Sequence, residues 1–437
     1  MTQPPLHQTK PRATALPAPL WLDNGTELDI FPIPEAYIVR LTITFRGGRW
    51  MESKVLQSTL AANLMTAGTT DMSAERIAQQ LDFYGASINI SAGIQSTILT
   101  MTCLRRNLAQ VMPILRDIIS APAYEEQQMD IEKDEFIFAS RANKQNVSYV
   151  SQKLLQRTLL GEAHPLAQSY DETDVEALTH DDIATYHSRL INMANAVIYA
   201  SGDVDDEVVS LINRHLGTMP ADASAVATLP RIDTKASSQQ RHDAVIETES
   251  AQSAINIGTL MPTRVSPDYP AIALTRTILG GYFGSRLMSN IRERLGLTYG
   301  ISADMLHMPG SALLLISSTT TRKHVDKCVE EIFKEVERLQ TEPVGDDEMT
   351  IAKNYLMGQY CRTTEMTLSL PSVCIVLRES GSSLKEHAKM MEQIQALTPA
   401  DIMDCARHYL QTSSMHIAAA HGKEEPYNTK SMWTTTD

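Results

Sequence analysis

The sequence predicts an α+β fold of two homologous domains, each an antiparallel-rich sheet with helices packed on one face. Three observations carry this expectation. Strand-like and helix-like segments alternate along most of the chain. A stretch near the middle loses that rhythm, and a seven-residue segment recurs on either side of it. A length of 437 residues is also too great for one ordinary core.

The first strand is Leu41-Thr42-Ile43-Thr44-Phe45, which alternates and then meets the turn Gly47-Gly48. Residues Lys54 to Met65 have helical spacing. A second helix, opened by Asp71 or Ser73, carries Ile77 and Leu81 on one face and stops at Gly85. Ile88, Ile90 and Ala92, then Leu99, Met101 and Cys103, alternate as two strands with a turn near Gly93. Leu108, Val111, Met112, Leu115 and Ile118 mark an amphipathic helix.

Residues 217–244 lose this periodicity and are rich in Ala, Ser, Thr and Pro, which is linker composition. The internal repeat pairs Ala177-Leu178-Thr179-His180-Asp181-Asp182-Ile183 with Ala396-Leu397-Thr398-Pro399-Ala400-Asp401-Ile402. In each copy the Thr is placed to cap a helix. Each helix then leads to a small apolar strand, Ala196 to Ala200 and His416 to Ala420. The expected organisation is a Pro-rich arm over 1–20, a first domain over 21–216, a linker over 217–244 and a second domain over 245–437.

Composition excludes several classes. A formal net charge of −14 does not suit a nucleic-acid binder, which meets phosphates with clustered positive charge. No apolar run reaches the roughly eighteen residues that span a bilayer. The five cysteines are scattered and odd in number, with no Cys-x-x-Cys pair, so a reducing compartment is expected. Residues 1–20 hold five prolines and no continuous apolar segment, unlike a secretory signal. The chain is therefore expected to be cytoplasmic, or periplasmic if a signal has been removed.

Several segments in order then resemble the pitrilysin/insulinase class of metallopeptidases. They are Phe45-Arg46-Gly47-Gly48-Arg49-Trp50-Met51-Glu52, Gly68-Thr69 with the Ser73-Ala74-Glu75 helix, Gly85 to Asn89, and His164-Pro165-Leu166. Gly202 to Asp205 and Leu279-Gly280-Gly281 through Tyr299 complete the set. The resemblance implies a half-clamshell that pairs with another half to enclose a peptide chamber.

Active members of that family carry His-x-x-Glu-His on a helix, two zinc ligands and a general base. The matching positions here are Thr59-Leu60-Ala61-Ala62-Asn63. Thr59 and Asn63 stand for the histidines and Ala62 for the base. The family's third ligand aligns with Ser140, or with Arg141 if the register slips by one. No His pair at i, i+4 exists elsewhere; His164 reads as a turn residue, and His180 and His187 as solvent-facing. The expectation is no metal and no cofactor in this chain, with zinc in a partner subunit.

The family's Arg and Tyr, seven residues apart, reach a zinc site across the clamshell. Arg292 and Tyr299 keep that spacing. An arbitrary Arg and Tyr so spaced would be an exposed helix charge and the start of a strand. Here they follow Gly280-Gly281-Tyr282-Phe283-Gly284-Ser285-Arg286-Leu287, as in the family. That turn is not a nucleotide loop, since it lacks a Gly-Lys-Ser/Thr ending and Gly-x-Gly-x-x-Gly spacing. The resemblance implies that Tyr299 stabilises the oxyanion, that Arg292 holds substrate, and that Gly280 and Gly281 line the chamber. Arg294 is the weaker alternative to Arg292.

The leading expectation is a zinc-less subunit of a heterodimeric insulinase-like peptidase, partnered by a paralogue with the zinc motif and binding peptide. The alternatives are a structural or assembly subunit, like the core proteins of the respiratory bc complex, and a non-catalytic peptide-binding homodimer.

Overall fold

The structure, a computed structural model, describes residues 18–33, 36–248, 250–366 and 368–423. Most of the expected Pro-rich arm lies outside them. The first sheet holds β1 (Leu20–Trp21), β2 (Glu27–Pro32), β3 (Ile38–Arg46), β4 (Ser87–Ala92), β5 (Ser96–Leu104) and β6 (Ala196–Gly202). Its order is β1-β2-β6-β3-β5-β4. The second holds β7 (Arg241–Val245), β8 (Gln252–Met261), β9 (Ile301–Met308), β10 (Ser311–Thr321) and β11 (His416–His421), in the order β7-β11-β8-β10-β9. Apart from β1 the two orders superpose. In each, one parallel pair, β2–β6 or β7–β11, joins otherwise antiparallel strands.

Eight helices belong to the first half of the sequence: α1 (Gln57–Leu64), α2 (Ala74–Tyr84), α3 (Leu108–Ser120), α4 (Glu126–Lys144), α5 (Val147–Leu160), α6 (Glu172–Glu176), α7 (His180–Leu190) and α8 (Asp206–Leu216). Six belong to the second: α9 (Tyr269–Arg276), α10 (Val325–Thr341), α11 (Asp346–Glu365), α12 (Leu370–Glu379), α13 (Leu384–Ala396) and α14 (Pro399–Tyr409). No helix among the described residues is long and apolar enough to cross a membrane.

The local signals act as sequence chemistry dictates. Ser73 caps α2 by accepting from Arg76 N–H, and Gly85 ends it at φ 59°. The repeated Thr residues build matching capping boxes, Thr179 with Asp182 on α7 and Thr398 with Asp401 on α14. The first helix is shorter than its periodicity suggests and begins at Gln57, because Leu56 turns the chain at φ 71°.

Two helices are exchanged between the halves, so the sequence units 21–216 and 245–437 are not the packing units. α5 leaves its own domain and covers the back of the second sheet. Its buried stripe Val147, Ser151, Leu155 and Leu159 meets Leu313, Leu315, Ala418 and Ala420. Ser151 Oγ donates to Ala418 O at 2.8 Å and accepts from Asn256 Nδ2 at 2.9 Å. Reciprocally, α12 covers the back of the first sheet, where Leu370 and Ile375 pack on Phe31 and Tyr199. Arg378 forks onto Glu27 at 2.7 Å and reaches Asp29 at 3.3 Å.

The expected helical face is present on each sheet, and the exchanged helix adds to it on the other side. One face of each sheet carries its own helices and the main core. The opposite face carries the other half's helix. Burial on both faces also explains why Leu313-Leu314-Leu315 in β10 runs apolar without alternating.

The expected linker over 217–244 is not free either. Trp50 Nε1 donates to Pro230 O at 2.8 Å, Lys235 N donates to Leu160 O at 3.1 Å, and β7 begins at Arg241.

Candidate functional site

Two places match the sequence-level expectations, one in each half. The first is α1 and the helix facing it, α4. Thr59 and Asn63 lie one turn apart on the half-buried side of α1, and Ala62 is buried. Asn63 Nδ2 donates to Glu132 Oε2 at 2.7 Å, so its amide is engaged by a carboxylate of α4.

Ser140 sits two turns further along α4, is buried, and donates to Tyr170 O at 3.0 Å. Arg141 points to the surface and pairs with Glu172 through both carboxylate oxygens. These groups do not fit zinc. Ala62 offers no donor or base, Asn63 presents an N–H to an acid, and Ser140 is spent on a backbone carbonyl. Among the described residues no group of three or more His, Cys, Asp or Glu is arranged to hold a metal ion.

Sequence reasoning missed Glu132. Its only signal is its placement two turns before Ser140 on a helix that faces α1.

The entry into α1 shows why the Phe-Arg-Gly-Gly signature survives without the metal. Gly48 lies at φ 51°, and a Cβ there would sit 2.6 Å from Gly93 O in the β4–β5 hairpin. Glu52 then accepts from Ser58 N at 2.9 Å and from Ser58 Oγ at the start of α1. Burial pushes the Glu52 carboxyl above its ordinary range.

The remaining histidines have structural settings. His164 is buried in its turn, its ring against Trp50 at 5.0 Å between centroids, and burial lowers its pKa. The expectation that His187 faces solvent is corrected. Its Nε2 lies 2.9 Å from Ile119 O, and its ring packs on Tyr124. His180, with a side chain 58% exposed, does face solvent.

The second place is the run from Thr277 to Gly300. α9 widens into a π-helical turn over Thr277–Gly281, and another forms over Met288–Arg294. Such turns are frequent at functional sites. Gly280 is buried, and a Cβ there would lie 2.7 Å from Ala303 in β9. The structure thus places Gly280 in a close helix-to-strand contact rather than on an open wall. Gly281 is half-buried beside Thr277 and Arg276.

Arg292 rides on the second π-helical turn. Its guanidinium lies over the Phe283 ring, 4.9 Å from the centroid, and it makes no hydrogen bond or ion pair among the described residues. Arg294 is tied down: Nε donates to Asn290 Oδ1 at 3.0 Å and Nη2 to the same oxygen at 2.5 Å. Asn290 in turn donates to the buried Glu331 and Glu335.

Tyr299 is 88% exposed, on a short segment fastened at its root. Thr298 Oγ1 donates to Thr319 O at 2.7 Å and accepts from Gly300 N at 3.0 Å, and Thr320 Oγ1 donates to Leu297 O at 2.5 Å. The ring is therefore presented by a rigid backbone. Phe283 and Thr298 are supports that sequence reasoning missed, though both lie inside the motif it quoted.

Comparison with known proteins agrees with this architecture. The family model described as Insulinase (Peptidase family M16) matches residues 35–170, and the model described as Peptidase M16 inactive domain matches 177–356. The chain belongs to the insulinase family, as a member without the zinc motif.

It is 22% identical over 395 residues to a Helicobacter pylori protein named non-peptidase homolog YmxG, covering 88% of this chain and 89% of that one. It is 24% identical over 362 residues to an uncharacterized zinc protease of Mycobacterium tuberculosis, covering 80% of each. Among solved structures, a peptidase M16 inactive domain from Pseudomonas fluorescens matches with a TM-score of 0.83 at 20% identity, covering 94% of this chain and 99% of that one. A chain of complex III2 from Candida albicans matches with a TM-score of 0.71 at 16% identity, covering 93% and 95%. At these identities the structural likenesses speak to fold alone.

Proposed function

We propose that this chain is the non-catalytic subunit of a heterodimeric insulinase-like zinc metallopeptidase. Its partner is a paralogue that carries the zinc motif, and its own contribution is Arg292 and Tyr299. One observation carries the reading. Tyr299 is exposed and Arg292 half-buried, and neither side chain has a polar partner among the described residues, while Phe283 lies under the guanidinium and Thr298 holds the backbone beside Tyr299. A merely structural Arg is expected to resemble Arg294, whose Nε and Nη2 both donate to Asn290 Oδ1 one turn earlier.

The chemistry assigns the roles. Negative charge grows on the scissile carbonyl oxygen as the peptide is attacked, and a Tyr299 hydroxyl placed there stabilises it more in the transition state than before. Arg292 offers a fixed, permanently charged fork to the substrate main chain. Extended peptide adds as a strand to a sheet edge. Of the two outer strands beside these sites, β9 is covered at Ala303 by Arg276, whereas β4 makes no backbone hydrogen bond on its outer side among the described residues.

A structural or assembly role is the second reading, favoured by the name of the Helicobacter pylori relative and the likeness to a complex III2 chain. Co-expression with a zinc-motif paralogue, size-exclusion chromatography and a peptidase assay separate the two. Co-elution with metal-dependent peptide cleavage supports the split enzyme. Separate elution, or a stable complex without cleavage, rejects it.

A further inference from the structure

The second half contains a cavity where its counterpart of the zinc helix would meet its counterpart of the third-ligand helix. α9 follows β8 as α1 follows β3, and α11 corresponds to α4 in the repeat. Between them, bordered by the exchanged α12 and by α13, lies an open-mouthed space of about 350 Å³. That is within the size range of small-ligand sites.

Its lining includes the polar residues Arg264, Arg276, Gln359, Thr363 and His387. The rest of the lining is largely apolar and includes Val373, Val376, Met391 and Ile394. Among the described residues no Asp or Glu lines it, although the chain has 52 acidic against 38 basic residues.

The cationic groups are under-used. Arg264 lies over the Tyr269 ring at 5.7 Å and makes no hydrogen bond or ion pair among the described residues. Arg276 spends Nη1 on Ala303 O and lies 3.8 Å from the exposed Asp304. Three buried nitrogens of the lining residues lack a partner: Nε of Arg264, Nε of Arg276 and Nδ1 of His387. Buried donors are nearly always paired, so the two unpaired arginine Nε–H groups around one cavity call for an acceptor, while His387 Nδ1 donates or accepts according to its tautomer.

Tyr269 is held by its hydroxyl, 3.1 Å from His307 Nε2, and so fixes the surface under Arg264. Burial, with the arginines nearby, pushes His307 and His387 down to about 4, so the charge of the site at neutral pH is that of the two guanidinium groups.

We propose that this cavity binds a carboxylate carrying a short aliphatic group, with Arg264 and Arg276 on the carboxylate and the aliphatic lining residues Val373, Val376, Met391 and Ile394 on the aliphatic part. A guanidinium meets a carboxylate through paired hydrogen bonds. The aliphatic lining disfavours a fully hydrated inorganic phosphate, which it would desolvate without return. A free short-chain acid and the carboxyl terminus of a peptide share this chemistry. The site is independent of Arg292 and Tyr299.

Isothermal titration calorimetry on the full chain tests it. The probes are hexanoate, acetyl-Ala-Leu with a free carboxylate, their neutral amides, and inorganic phosphate. At least one acid saturates at millimolar concentration or below. Its amide binds roughly tenfold or more weakly, since a charged hydrogen bond is lost. Arg264→Gln, confirmed as folded by circular dichroism, causes a loss of the same order, and Arg264→Lys a smaller one. Binding of hexanoate alone assigns a free acid, and binding of the peptide acid alone assigns a chain terminus.

Three results overturn the proposal: no binding of either acid, equal binding of acid and amide, or binding of phosphate in preference to both acids. A folded Arg264→Gln chain with undiminished affinity also overturns it. The acid–amide comparison on the unmodified chain decides the matter if that variant does not fold.

Discussion

The guanidinium of Arg292 lies over the ring of Phe283, 4.9 Å from its centroid, and has no acid to neutralise it among the described residues. A cation held on an aromatic ring keeps its hydrogen-bonding edge free for an incoming carbonyl or carboxylate. The prediction concerns Phe283, which is 60% exposed and supports nothing else of evident importance. In the complex with a zinc-bearing paralogue, Phe283→Ala should raise KM about two- to fivefold, the worth of one exposed cation–π contact. Peptide titration of kcat and KM checks this. An unchanged KM would show that the ring does not position Arg292.

The pairing of Asn63 with Glu132 leads to a prediction about metal. The α1–α4 face is closed by an amide–carboxylate hydrogen bond of 2.7 Å, and Ser140 is committed to Tyr170. Purified chain should therefore hold far less than one zinc per molecule, and a chelator should leave its melting temperature unchanged. Elemental analysis after dialysis is the check. A tightly held zinc at about one per chain, or a clear chelator-induced drop in melting temperature, would contradict it.

Gly280 has no room for a side chain. A Cβ would lie 2.7 Å from both the Cβ and the backbone nitrogen of Ala303. Gly280→Ala should cost about 1–3 kcal/mol through overpacking. It should also displace the π-helical turn that precedes Arg292. Urea melts measure the first effect. A variant as stable as the parent would mean that the contact between α9 and β9 is looser than described.

Glu379 on the exchanged helix α12 accepts from Ser96 Oγ of the first sheet, and burial raises its pKa above the ordinary 4.5. The sign follows from linkage. Below pH 4.5 the carboxyl is protonated in both states. Between there and its raised folded value, the unfolded chain has lost the proton and the folded chain has kept it, so stability falls as pH rises. Glu379→Gln does not titrate. The stability of this variant relative to the parent should therefore climb across that window and then level off. Paired urea melts from pH 4 to pH 7 test it. A difference that is flat or falls with pH would refute the burial of this carboxylate between the halves.

What the sequence makes legible is local. The Thr179–Asp182 and Thr398–Asp401 caps, the Ser73 and Gly85 ends of α2, and the β4–β5 hairpin follow from side chains that bond within a few residues of themselves. The exchange of α5 and α12 is not legible. A buried stripe such as Val147, Ser151, Leu155 and Leu159 says that a helix covers something apolar, but not which sheet. The candidate site divides in the same way. Arg292, Tyr299, Thr59 and Asn63 were findable through the family resemblance, position by position. Glu132, Phe283 and Thr298 act through contacts across space that no spacing encodes.

The central claim is that Tyr299 serves a reaction completed by a second chain. Its most direct test is steady-state kinetics of the complex with Tyr299→Phe, which removes one hydroxyl from a side chain that is 88% exposed and makes no hydrogen bond among the described residues. The account predicts a fall in kcat of roughly a hundredfold or more, as for loss of one oxyanion donor, with KM little changed. A complex whose kcat is the same with Phe as with Tyr would contradict it and leave the assembly reading in its place.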